Sequence, residues 1–449
     1  MSTPLSARLN DTAPRYTSYP TAPHFHPGIG PEAVERWIGT IGAEEPLSIY
    51  IHVPFCDRLC WFCACNTKQT LRYEPVKAYL GSLHREIATV SRLLAGRGRI
   101  AALHFGGGSP TMLRPADLIG LDAALRRAFG FRADAEISVE IDPNDMDEGR
   151  LDALAAIGLT RASLGIQDFD PKVQKAINRE QGFELTASVV EGLRKRGVRS
   201  ANFDLLYGLP FQTRHSIAAT VRQALTLSPD RIALFGYAHV PWFKKHQQMI
   251  DETALPDAGE RLAQARLAWE IIRDQGLEPI GLDHFARPGD SLAVAAREGR
   301  LRRNFQGYTD DQCETMIGLG PSSVSRYREG YAQNLTATGT YSRAVNAGGL
   351  AIARGVELTD EDRARGWVIE KLMCEFGFSS SEAADRFGEA AQGIIAEARS
   401  LAAARPDDLM ELHGDRFVVR EADRPLVRLI AAQFDSYLAT GKGRHSAAV

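Results

Sequence analysis

The sequence predicts an α/β fold built on a parallel sheet, and two observations carry that prediction. From about residue 47 to residue 240, short runs rich in β-branched and aromatic residues alternate with longer segments whose apolar residues recur at helical spacing. Such alternation implies parallel strands joined by right-handed crossovers. The periodicity alone fits either an open doubly wound sheet or an incomplete barrel.

Each predicted strand is a short apolar run between segments of helical pattern. The six runs are 47–53, 100–105, 136–141, 161–166, 202–208 and 231–238. The predicted crossover helices include 76–94, 151–157, 185–193 and 217–227. Further along, the pattern predicts a helix over 259–272, a helix cap at Thr359 and a hairpin that turns at His413–Gly414.

The chain is expected to have three parts. Residues 1–46 are rich in Pro and His and predict an extended N-terminal arm. Residues 47–350 are expected to form the sheet domain with an extension, and residues 355–449 a small, mostly helical C-terminal domain. A length of 449 residues suits a large barrel-type domain with appendages.

Composition and charge exclude several classes of protein. With 44% hydrophobic and 24% charged residues, the chain is not of the disordered kind. The 53 basic and 56 acidic residues give a net charge of −3, so no global field attracts nucleic acid or an anionic membrane. No apolar run is long enough to span a bilayer, and the first residues lack the apolar stretch of a signal peptide. A cytoplasmic protein without a nucleic-acid partner and without membrane insertion is therefore expected.

Four of the six cysteines lie within ten residues, in the loop after the first predicted strand. They are Cys56, Cys60, Cys63 and Cys65, with the spacing C-x3-C-x2-C-x-C. Because a reducing cytosol disfavours disulfides, this crowding indicates a metal site or redox chemistry. Three such thiolates can hold three irons of a [4Fe–4S] cluster and leave the fourth iron open. The alternative is structural zinc held by all four, but zinc sites usually pair two short hooks across a longer stretch.

The remaining two cysteines, Cys313 and Cys374, stand alone in the sequence. Isolated cysteines of this kind are most simply interpreted as small buried residues. The spacing of the other four therefore carries the functional prediction.

The C-x3-C-x2-C motif after the first strand resembles the signature of radical S-adenosylmethionine (SAM) enzymes. The similarity extends to the oxygen-independent coproporphyrinogen III oxidase family over nearly the whole chain. It is carried by RYTSYPTA (15–22), YIHVPFC (50–56), CACN (63–66), HFGGGSPT (104–111), SVEIDP (138–143), GIQDF (165–169), NREQ (178–181), NFDLLYGLP (202–210), YAH (237–239), DHFARP (283–288) and RNFQGYT (303–309). Cys65 and the RYTSYPT arm distinguish this family from its haem-chaperone relatives.

The resemblance implies an incomplete parallel (β/α)6 radical-SAM barrel, a C-terminal domain that covers the substrate, and a specific set of site residues. Cys56, Cys60 and Cys63 would bind the [4Fe–4S] cluster, as metal ligands and as catalytic residues, and Cys65 would lie near it without binding iron. Two SAM molecules are implied. The residues implied for the first are Tyr50, Gly107, Glu140 and Val324. Those implied for the second are Phe62, Gly108, Ser109, Gln167, Arg179, Asp204, Leu206 and Ala238.

The resemblance also implies a reaction and its partners. A reduced cluster would cleave SAM to a 5′-deoxyadenosyl radical, which abstracts a β-hydrogen from a propionate. Loss of carbon dioxide and an electron leaves a vinyl group, and two such events convert coproporphyrinogen III to protoporphyrinogen IX in haem biosynthesis. An electron donor such as flavodoxin or ferredoxin, and a monomeric enzyme, are expected. The alternatives are a haem chaperone or a methyltransferase of the same superfamily.

The substrate carries four carboxylates, so arginines are expected near the site. Three of them lie in the matching segments: Arg15, Arg287 and Arg303. Each could equally be an ordinary surface charge.

Placement along the chain supports one common site. The cysteine loop, Gly106–Ser109 and residues 140, 167, 204 and 238 each fall at or just after the carboxyl end of a successive strand. That edge binds ligands in parallel α/β folds. For single residues a structural role stays open: the glycines could form only a tight turn, and His52 could be merely structural.

Four charged or aromatic residues also have two interpretations each. Glu140 needs a cation or donor, either an arginine or the ammonium of SAM. Arg179 could cap a helix carboxyl end or bind the carboxylate of the second SAM. Trp61 and Phe62 could shield the cluster from water or stack on adenine.

Overall fold

Six parallel strands form the centre of the molecule, as the apolar runs predict. The computed structural model describes residues 12–404 and 410–438. The strands are β1 (Pro46–Val53), β2 (Arg99–Gly107), β3 (Phe131–Ile141), β4 (Arg161–Gln167), β5 (Ser200–Tyr207) and β6 (Arg231–Gly236). They pair in chain order, each parallel to the next. All six predicted strands are confirmed, with ends that differ by a few residues.

Helices connect these strands and cover the outer face of the sheet. Between β1 and β6 they are Glu74–Leu94, Pro115–Ala128, Glu148–Ala156, Pro171–Ala176, Phe183–Lys195 and Arg214–Thr226. The later helices are Ala258–Asp274, Ser291–Arg297, Thr338–Asn346, Asp360–Glu375, Ser380–Phe387, Glu389–Ala404 and Val427–Ala431. Thr359 caps its helix as predicted, since its hydroxyl accepts from the Asp362 N–H at 3.0 Å.

Further strands extend the parallel sheet at both edges, and among the described residues the sheet does not close on itself. Next to β1 lies Thr315–Leu319, parallel to it, followed by the antiparallel strands Val324–Arg326, Gly330–Asn334 and Ile352–Glu357. Next to β6 come the antiparallel strands His284–Ala286 and Glu278–Ile280. The last strands at the two ends do not pair with each other in the described sheet. Of the two architectures that periodicity left open, the incomplete barrel is the one observed.

The N-terminal segment differs from the expected extended arm, because residues Pro31–Gly39 form a helix. Pro31 at its first position favours helix initiation, and Val34, Trp37 and Ile38 are buried on one face. Residues 1–11 of the predicted arm lie outside the described residues. In the described segment before this helix, Ala22–His24 forms a single 3₁₀ turn.

The C-terminal region combines helices with two small sheets. Strands Arg302–Asn304 and Gly307–Thr309 form one hairpin. Gly377–Ser379, Met410–His413 and Arg416–Val419 form a three-stranded antiparallel sheet. The predicted hairpin is confirmed, although its turn lies at residues 414–415, one position later than expected.

The two largest hydrophobic cores among the described residues join the parts of the chain. The larger core lies between the sheet and its crossover helices. The second gathers residues of the C-terminal helices together with Tyr16 and Tyr19 of the arm. Tyr16 also donates a hydrogen bond of 3.0 Å to the carboxylate of Asp435. The arm and the C-terminal region therefore pack on each other beside the barrel.

The predicted boundary between the sheet domain and the C-terminal domain falls at strand Ile352–Glu357, which belongs to the large sheet. The division into three parts stays a prediction, and residues 405–409 and 439–449 of its last part lie outside the described residues. Within 12–404 and 410–438, no helix is both long enough and apolar enough to cross a membrane.

Candidate functional site

The cysteine loop leaves the carboxyl end of β1 and is held by backbone hydrogen bonds. Phe55–Cys56 pairs in parallel with Lys68–Gln69, and the Thr70 N–H donates to the Cys56 carbonyl at 2.9 Å. The Trp61 N–H donates to the Ile177 carbonyl at 2.9 Å, which ties the middle of the loop to the segment after β4. The loop is thereby fixed over the edge where the parallel strands end.

The cysteine sulfurs in this loop receive hydrogen bonds from polar neighbours. The Cys56 sulfur lies 3.1 Å from the Thr67 hydroxyl, and the Arg179 guanidinium donates to the Cys60 sulfur at 3.6 Å. The Cys65 N–H donates to the Cys63 sulfur at 3.4 Å. Hydrogen bonds from Cys65 lower the pKa of Cys63 below that of an ordinary thiol. Donors directed at sulfur favour the thiolate form, which is the form that binds iron or zinc.

The spacing of the thiols fits a multinuclear cluster. All four are free thiols. Burial raises the pKa of Cys56 to about 12, and the nearby Cys63 and Cys60 add to that increase, so the three sulfurs lie within electrostatic range of one another. Yet no three Cys, His, Asp or Glu side chains in the described residues are grouped closely enough for a single metal ion. The C-x3-C-x2-C spacing of the sequence favours a cluster in which each thiolate binds a different iron over a single zinc ion.

The segment after β6 supports the cysteine loop from the other side. His246 lies 2.7 Å from the Cys63 carbonyl, and the Lys244 ammonium donates to the Cys65 carbonyl at 2.8 Å. Gln247 is fully buried and donates to the Phe62 carbonyl at 2.9 Å. Sequence reasoning missed all three residues. The polar run Lys244 to Gln247 after the strand was the available signal.

Gly106, Gly107 and Gly108 are required by packing. A Cβ at Gly106 would lie 2.8 Å from the Glu140 carboxylate, and one at Gly107 would lie 2.7 Å from the His52 ring. A Cβ at Gly108 would lie 2.5 Å from the Phe55 carbonyl oxygen. Gly107 also has a φ of 111°, which disfavours other residues. Close packing therefore requires glycine at these positions, and their role as ligand contacts stays a prediction.

Ser109 continues this turn and is buried. Its N–H donates to the Phe55 carbonyl at 2.7 Å, and its hydroxyl donates to the carboxylate of Asp145. Burial raises the pKa of Asp145 to about 6. The hydroxyl that sequence reasoning assigned to a cofactor thus has an internal partner in this structure.

Glu140 extends from β3 towards the glycine turn. Its carboxylate accepts from the Gly107 N–H at 3.0 Å and lies 3.4 Å from the ring of His104 on β2. Burial opposes ionisation, but the hydrogen bond and charge of His104 and the Gly107 N–H give Glu140 a lowered pKa. The side chain remains 40% exposed at this edge. No arginine pairs with it among the described residues, so the carboxylate is available to a ligand cation.

Tyr50 and His52 lie on β1 beside Glu140. The Tyr50 ring stacks on His104 with centroids 5.8 Å apart, and its hydroxyl lies 3.0 Å from one His52 nitrogen. The other His52 nitrogen lies 2.8 Å from the carbonyl of Asn66 at the end of the cysteine loop. His52 is therefore a structural residue, as the simpler interpretation predicts. His104 begins the HFGGGSPT motif, but the sequence analysis assigned it no role.

β4 is distorted where it reaches the site. Gln167 has a φ of 67°, and the pairing with β5 shifts register between Gly165 and Gln167. Such a bulge redirects the side chains at a strand end. Here a Cβ at Gly165 would meet the Gln167 amide at 2.9 Å and the Arg179 guanidinium at 3.0 Å. The bulge thus brings Gln167 and Arg179 against the end of the sheet.

Arg179 is buried, and its side chain does not cap a helix. Its guanidinium pairs with Asp142 at 2.9 Å and donates to the Gly165 carbonyl at 2.7 Å, in addition to the Cys60 contact. One nitrogen, Nε, is buried without a hydrogen-bond partner. Arg179 therefore joins the cysteine loop to the ends of β3 and β4, and Asp142 is a partner that the sequence did not reveal.

Asp204 lies on β5 and faces the same edge. Its carboxylate accepts from the Ser163 hydroxyl at 3.0 Å and from the Asn202 amide at 2.8 Å. Burial and the charge of Glu140 raise the pKa of Asp204 to about 6. A buried carboxylate of this kind can accept from ligand hydroxyl groups.

Apolar residues complete the site around the cysteine loop. Phe62 and Trp61 pack against a small buried cluster that includes Leu206 and Tyr237. Ala238 follows β6, and its carbonyl accepts from Gln247 at 3.3 Å. Val324 lies two strands from Tyr50, on the far side of Thr315–Leu319. The residues implied for the cluster and for the two SAM molecules thus lie at the carboxyl ends of the strands or beside them.

The three candidate arginines separate in the structure. Arg15 and Arg303 line one cavity of about 720 Å³, together with Ala238. Arg287 does not, because its N–H donates to the Asp230 carbonyl at 2.9 Å, before the start of β6. That position is at the opposite edge of the sheet, where its side chain also donates to the Pro229 carbonyl. The expectation for Arg287 is therefore wrong.

Comparison with known proteins agrees with this geometry. The radical SAM superfamily model matches residues 50–224. The oxygen-independent coproporphyrinogen III oxidase of Paracoccus denitrificans is 49% identical over 437 residues, covering 97% of this chain and 96% of that relative. The enzyme of the same name from Escherichia coli is 40% identical over 435 residues, covering 97% of this chain and 95% of that relative.

A solved structure shows that the likeness extends to the fold. Coproporphyrinogen III oxidase (HemN) from Escherichia coli, described as a radical SAM enzyme, matches with a TM-score of 0.90 and 40% identity. The match covers 94% of this chain and 97% of that one. The chain belongs to the oxygen-independent coproporphyrinogen III oxidase family of the radical SAM superfamily.

Proposed function

We propose that this protein converts coproporphyrinogen III to protoporphyrinogen IX without oxygen, by oxidative decarboxylation of two propionate side chains in haem biosynthesis. The observation that carries the proposal is the convergence of three thiols, Glu140, Gln167 and Asp204 on one sheet edge, beside a cavity with arginines. Each propionate would lose a β-hydrogen atom, carbon dioxide and one electron, which leaves a vinyl group. The names and full-length similarity of the relatives support the same reaction.

Cys56, Cys60 and Cys63 would hold the [4Fe–4S] cluster, with Cys65 as a neighbour that donates to the Cys63 sulfur. When bound, the reduced cluster and SAM supply an organic radical that removes hydrogen from an unactivated carbon. The chain's own part is to bind, to orient and to exclude water. Trp61 and Phe62 pack against the buried hydrophobic residues around Leu206 and so cover the cysteine loop with apolar surface.

The polar groups at the edge suit two amino-acid-nucleoside ligands. Glu140 is ionised and partly exposed, so it can pair with an ammonium group, with Tyr50, Gly107 and Val324 nearby. Asp204 can accept from ribose hydroxyls beside Phe62, Leu206 and Ala238. The buried Arg179, with an unpartnered Nε, would attract a carboxylate together with Gly108, Ser109 and Gln167. These assignments to two SAM molecules are part of the proposal.

The test is anaerobic turnover by the cluster-loaded protein. Coproporphyrinogen III, SAM and a chemical reductant are added, and protoporphyrin formed after oxidation is measured together with 5′-deoxyadenosine. Cys60→Ser should abolish both products and lower the iron content. Cys313→Ser is the matched control, because Cys313 is a free thiol far from the loop in sequence and should leave both products unchanged.

Other products would identify the alternatives. Haem binding by wild-type protein without turnover of coproporphyrinogen would indicate a chaperone. S-adenosylhomocysteine with a methylated product would indicate a methyltransferase. A preparation that holds zinc without iron or sulfide would overturn the cluster assignment.

We further propose flavodoxin or ferredoxin as the electron donor, a monomeric state, and a cytoplasmic location, where free thiols stay reduced. The three-part division 1–46, 47–350 and 355–449 is proposed on the same footing, with the last part covering the substrate. Turnover with each purified donor, gel filtration with light scattering, and cell fractionation test these points separately.

A further inference from the structure

A cavity beside the sheet edge carries an unusual excess of arginine. Its volume is about 720 Å³, and its wall combines the end of β6, the Gly281–Asp283 loop, the arm and the segment 421–428. Three carboxylates line it, those of Glu270, Asp283 and Glu421. The six arginines that line it are Arg15, Arg261, Arg266, Arg303, Arg424 and Arg428. This cavity is called the arginine cavity below.

Four of these arginines interact with one another. Burial of Arg428, together with the charges of Arg15 and Arg303, lowers the pKa of Arg428 to about 10. The pKa of Arg15 is lowered as well, because the cavity wall partly desolvates its guanidinium and because Arg303 and Arg261 repel its charge. Asp283 offsets this repulsion in part, but its carboxylate is bonded to the His284 ring at 2.7 Å. Arg428 is buried, Arg261 and Arg303 are half-buried and Arg15 is exposed, so positive charge is concentrated in a cavity that solvent only partly fills.

Three of the four have no carboxylate partner. Among the described residues, no ion pair within 4.0 Å involves Arg15, Arg261 or Arg303. Cations placed together in a partly dry cavity repel one another and lose hydration, which is costly without a compensating anion. A carboxylate ligand would supply that compensation.

Backbone carbonyls hold these guanidinium groups in place, and some of the N–H donors of Arg261 and Arg303 remain without a partner among the described residues. Arg261 donates to the Tyr237 carbonyl at 2.9 Å, and Arg303 donates through Nε to the Arg15 carbonyl at 3.4 Å. Arg303 Nη1 is buried without a hydrogen-bond partner. Arg428 donates to the Pro14 carbonyl at 3.0 Å and so fixes the arm that carries Arg15. Because a guanidinium has five N–H donors, Arg261 and Arg303 retain capacity for a carboxylate.

The remaining wall is apolar and adjoins the site. Tyr207, Phe235, Trp269 and Phe285 line the cavity, and Ala238, one of the predicted cofactor contacts, lies at its margin. A ligand that fits must combine a large apolar ring system with several carboxylates. The volume of the cavity, and its position next to the edge of the sheet, suit a tetrapyrrole close to the reacting groups.

We propose that Arg15, Arg261 and Arg303 form the substrate carboxylate site, binding propionates of the tetrapyrrole within the arginine cavity. This inference rests on the proposed function, since it takes the tetracarboxylate as substrate. The site selects for anionic tetrapyrroles, and the product binds less tightly because it has lost two of the four carboxylates.

The test measures binding as well as turnover. Coproporphyrin III, the oxidised and fluorescent tetracarboxylate, is titrated into anaerobic cluster-loaded protein, and the dissociation constant is taken from fluorescence. Arg261→Gln and Arg303→Gln should each weaken binding at least about tenfold, the size expected for one charged hydrogen-bonded contact. Arg132→Gln is the control, since Arg132 forms an exposed pair with Asp134 on β3 and should bind as wild type does.

The tetramethyl ester of coproporphyrin III separates charge recognition from damage to the fold. It keeps the ring and lacks the carboxylates, so it should bind wild type and both variants with the same weak affinity. Loss of ester binding in the variants, or wild-type affinity of the variants for coproporphyrin, would overturn the inference, as would absence of coproporphyrin binding by wild type.

Turnover by wild type is measured in parallel to distinguish the two proposals. If wild type forms protoporphyrinogen while the variants bind coproporphyrin normally, only the carboxylate site is wrong. If wild type binds coproporphyrin through these arginines but forms no product, the site stands and the proposed reaction fails.

Discussion

Replacing Glu86 with glutamine should change how the stability of this protein depends on pH. Glu86 lies in helix Glu74–Leu94, is 2% exposed, and accepts three hydrogen bonds. The donors are the Gly320 N–H, the Tyr341 hydroxyl and the Asn334 amide, each at 2.7 Å. Burial raises the pKa of Glu86 from 4.5 to about 7, although these hydrogen bonds act to lower it.

The direction of the effect follows from which state binds the proton. Between pH 4.5 and about 7 the folded protein holds a proton on Glu86 that the unfolded chain has released. The stabilisation is complete below pH 4.5 and is lost as the pH rises through about 7. Since each tenfold change in proton affinity is worth about 1.4 kcal/mol, the full contribution is about 3 kcal/mol.

Urea unfolding of wild type and Glu86→Gln, measured side by side under anaerobic conditions, tests this. As the pH rises through this range, wild type should lose about 3 kcal/mol of unfolding free energy relative to the variant. Tyr341→Phe removes a donor that lowers the pKa of Glu86, so it should move the transition to higher pH. A difference between wild type and the glutamine variant that is the same at all pH values would refute the reasoning.

Three further substitutions test other parts of the structure. Gly108→Ala would place a Cβ 2.5 Å from the Phe55 carbonyl oxygen in the cysteine loop, so the iron content after anaerobic reconstitution should fall. Gly120→Ala is the control, because its Cβ would meet no atom within 4 Å, and this variant should bind iron as wild type does. Asp290→Asn breaks a 2.7 Å ion pair with Arg231, whose side chain is only 5% exposed. The free energy of unfolding in urea should fall by about 3 kcal/mol or more. Asp134→Asn removes an exposed pair and is the control, which should leave the unfolding free energy nearly unchanged in the same assay. Thr359→Ala removes a helix cap, and a loss of about 1 kcal/mol is expected from the same measurement; no loss would show that the cap is unimportant.

The central strands were predictable because each has a buried face. β1 is buried along most of its length and appears in the sequence as a nearly continuous apolar run, whereas β4 and β5 alternate buried and half-buried residues. The strands that extend the sheet after residue 278 are only three to six residues long, and several carry polar residues such as Arg326 or Gln333. No periodicity distinguishes such short segments from loops.

The site was predictable as a set of positions but not as a set of contacts. Chain order alone places Glu140 and Asp204 at one edge, because parallel strands all end there. The partners of these residues depend on side-chain direction across neighbouring strands, which the sequence does not show. His104 beside Glu140 and Asp142 beside Arg179 were therefore found only in the structure.

Side-chain direction also explains why the arginines of the cavity were not all predicted. Arg261 belongs to helix Ala258–Asp274, whose pattern predicts only a helix, yet its guanidinium reaches back to the carbonyl that follows β6. Arg287 is in a motif of the family but points to the other edge of the sheet. Membership of a motif does not determine which edge a side chain occupies.

The hydrogen bond between Tyr16 and Asp435 joins residues 419 positions apart. During synthesis the barrel strands leave the ribosome long before Asp435 does, so the barrel can fold while its cover is still incomplete. The arginine cavity therefore comes into existence only near the end of translation, when Arg428 can bind the arm. A chain that terminates before residue 428 would retain the cysteine loop and the sheet but would lack the enclosed cavity.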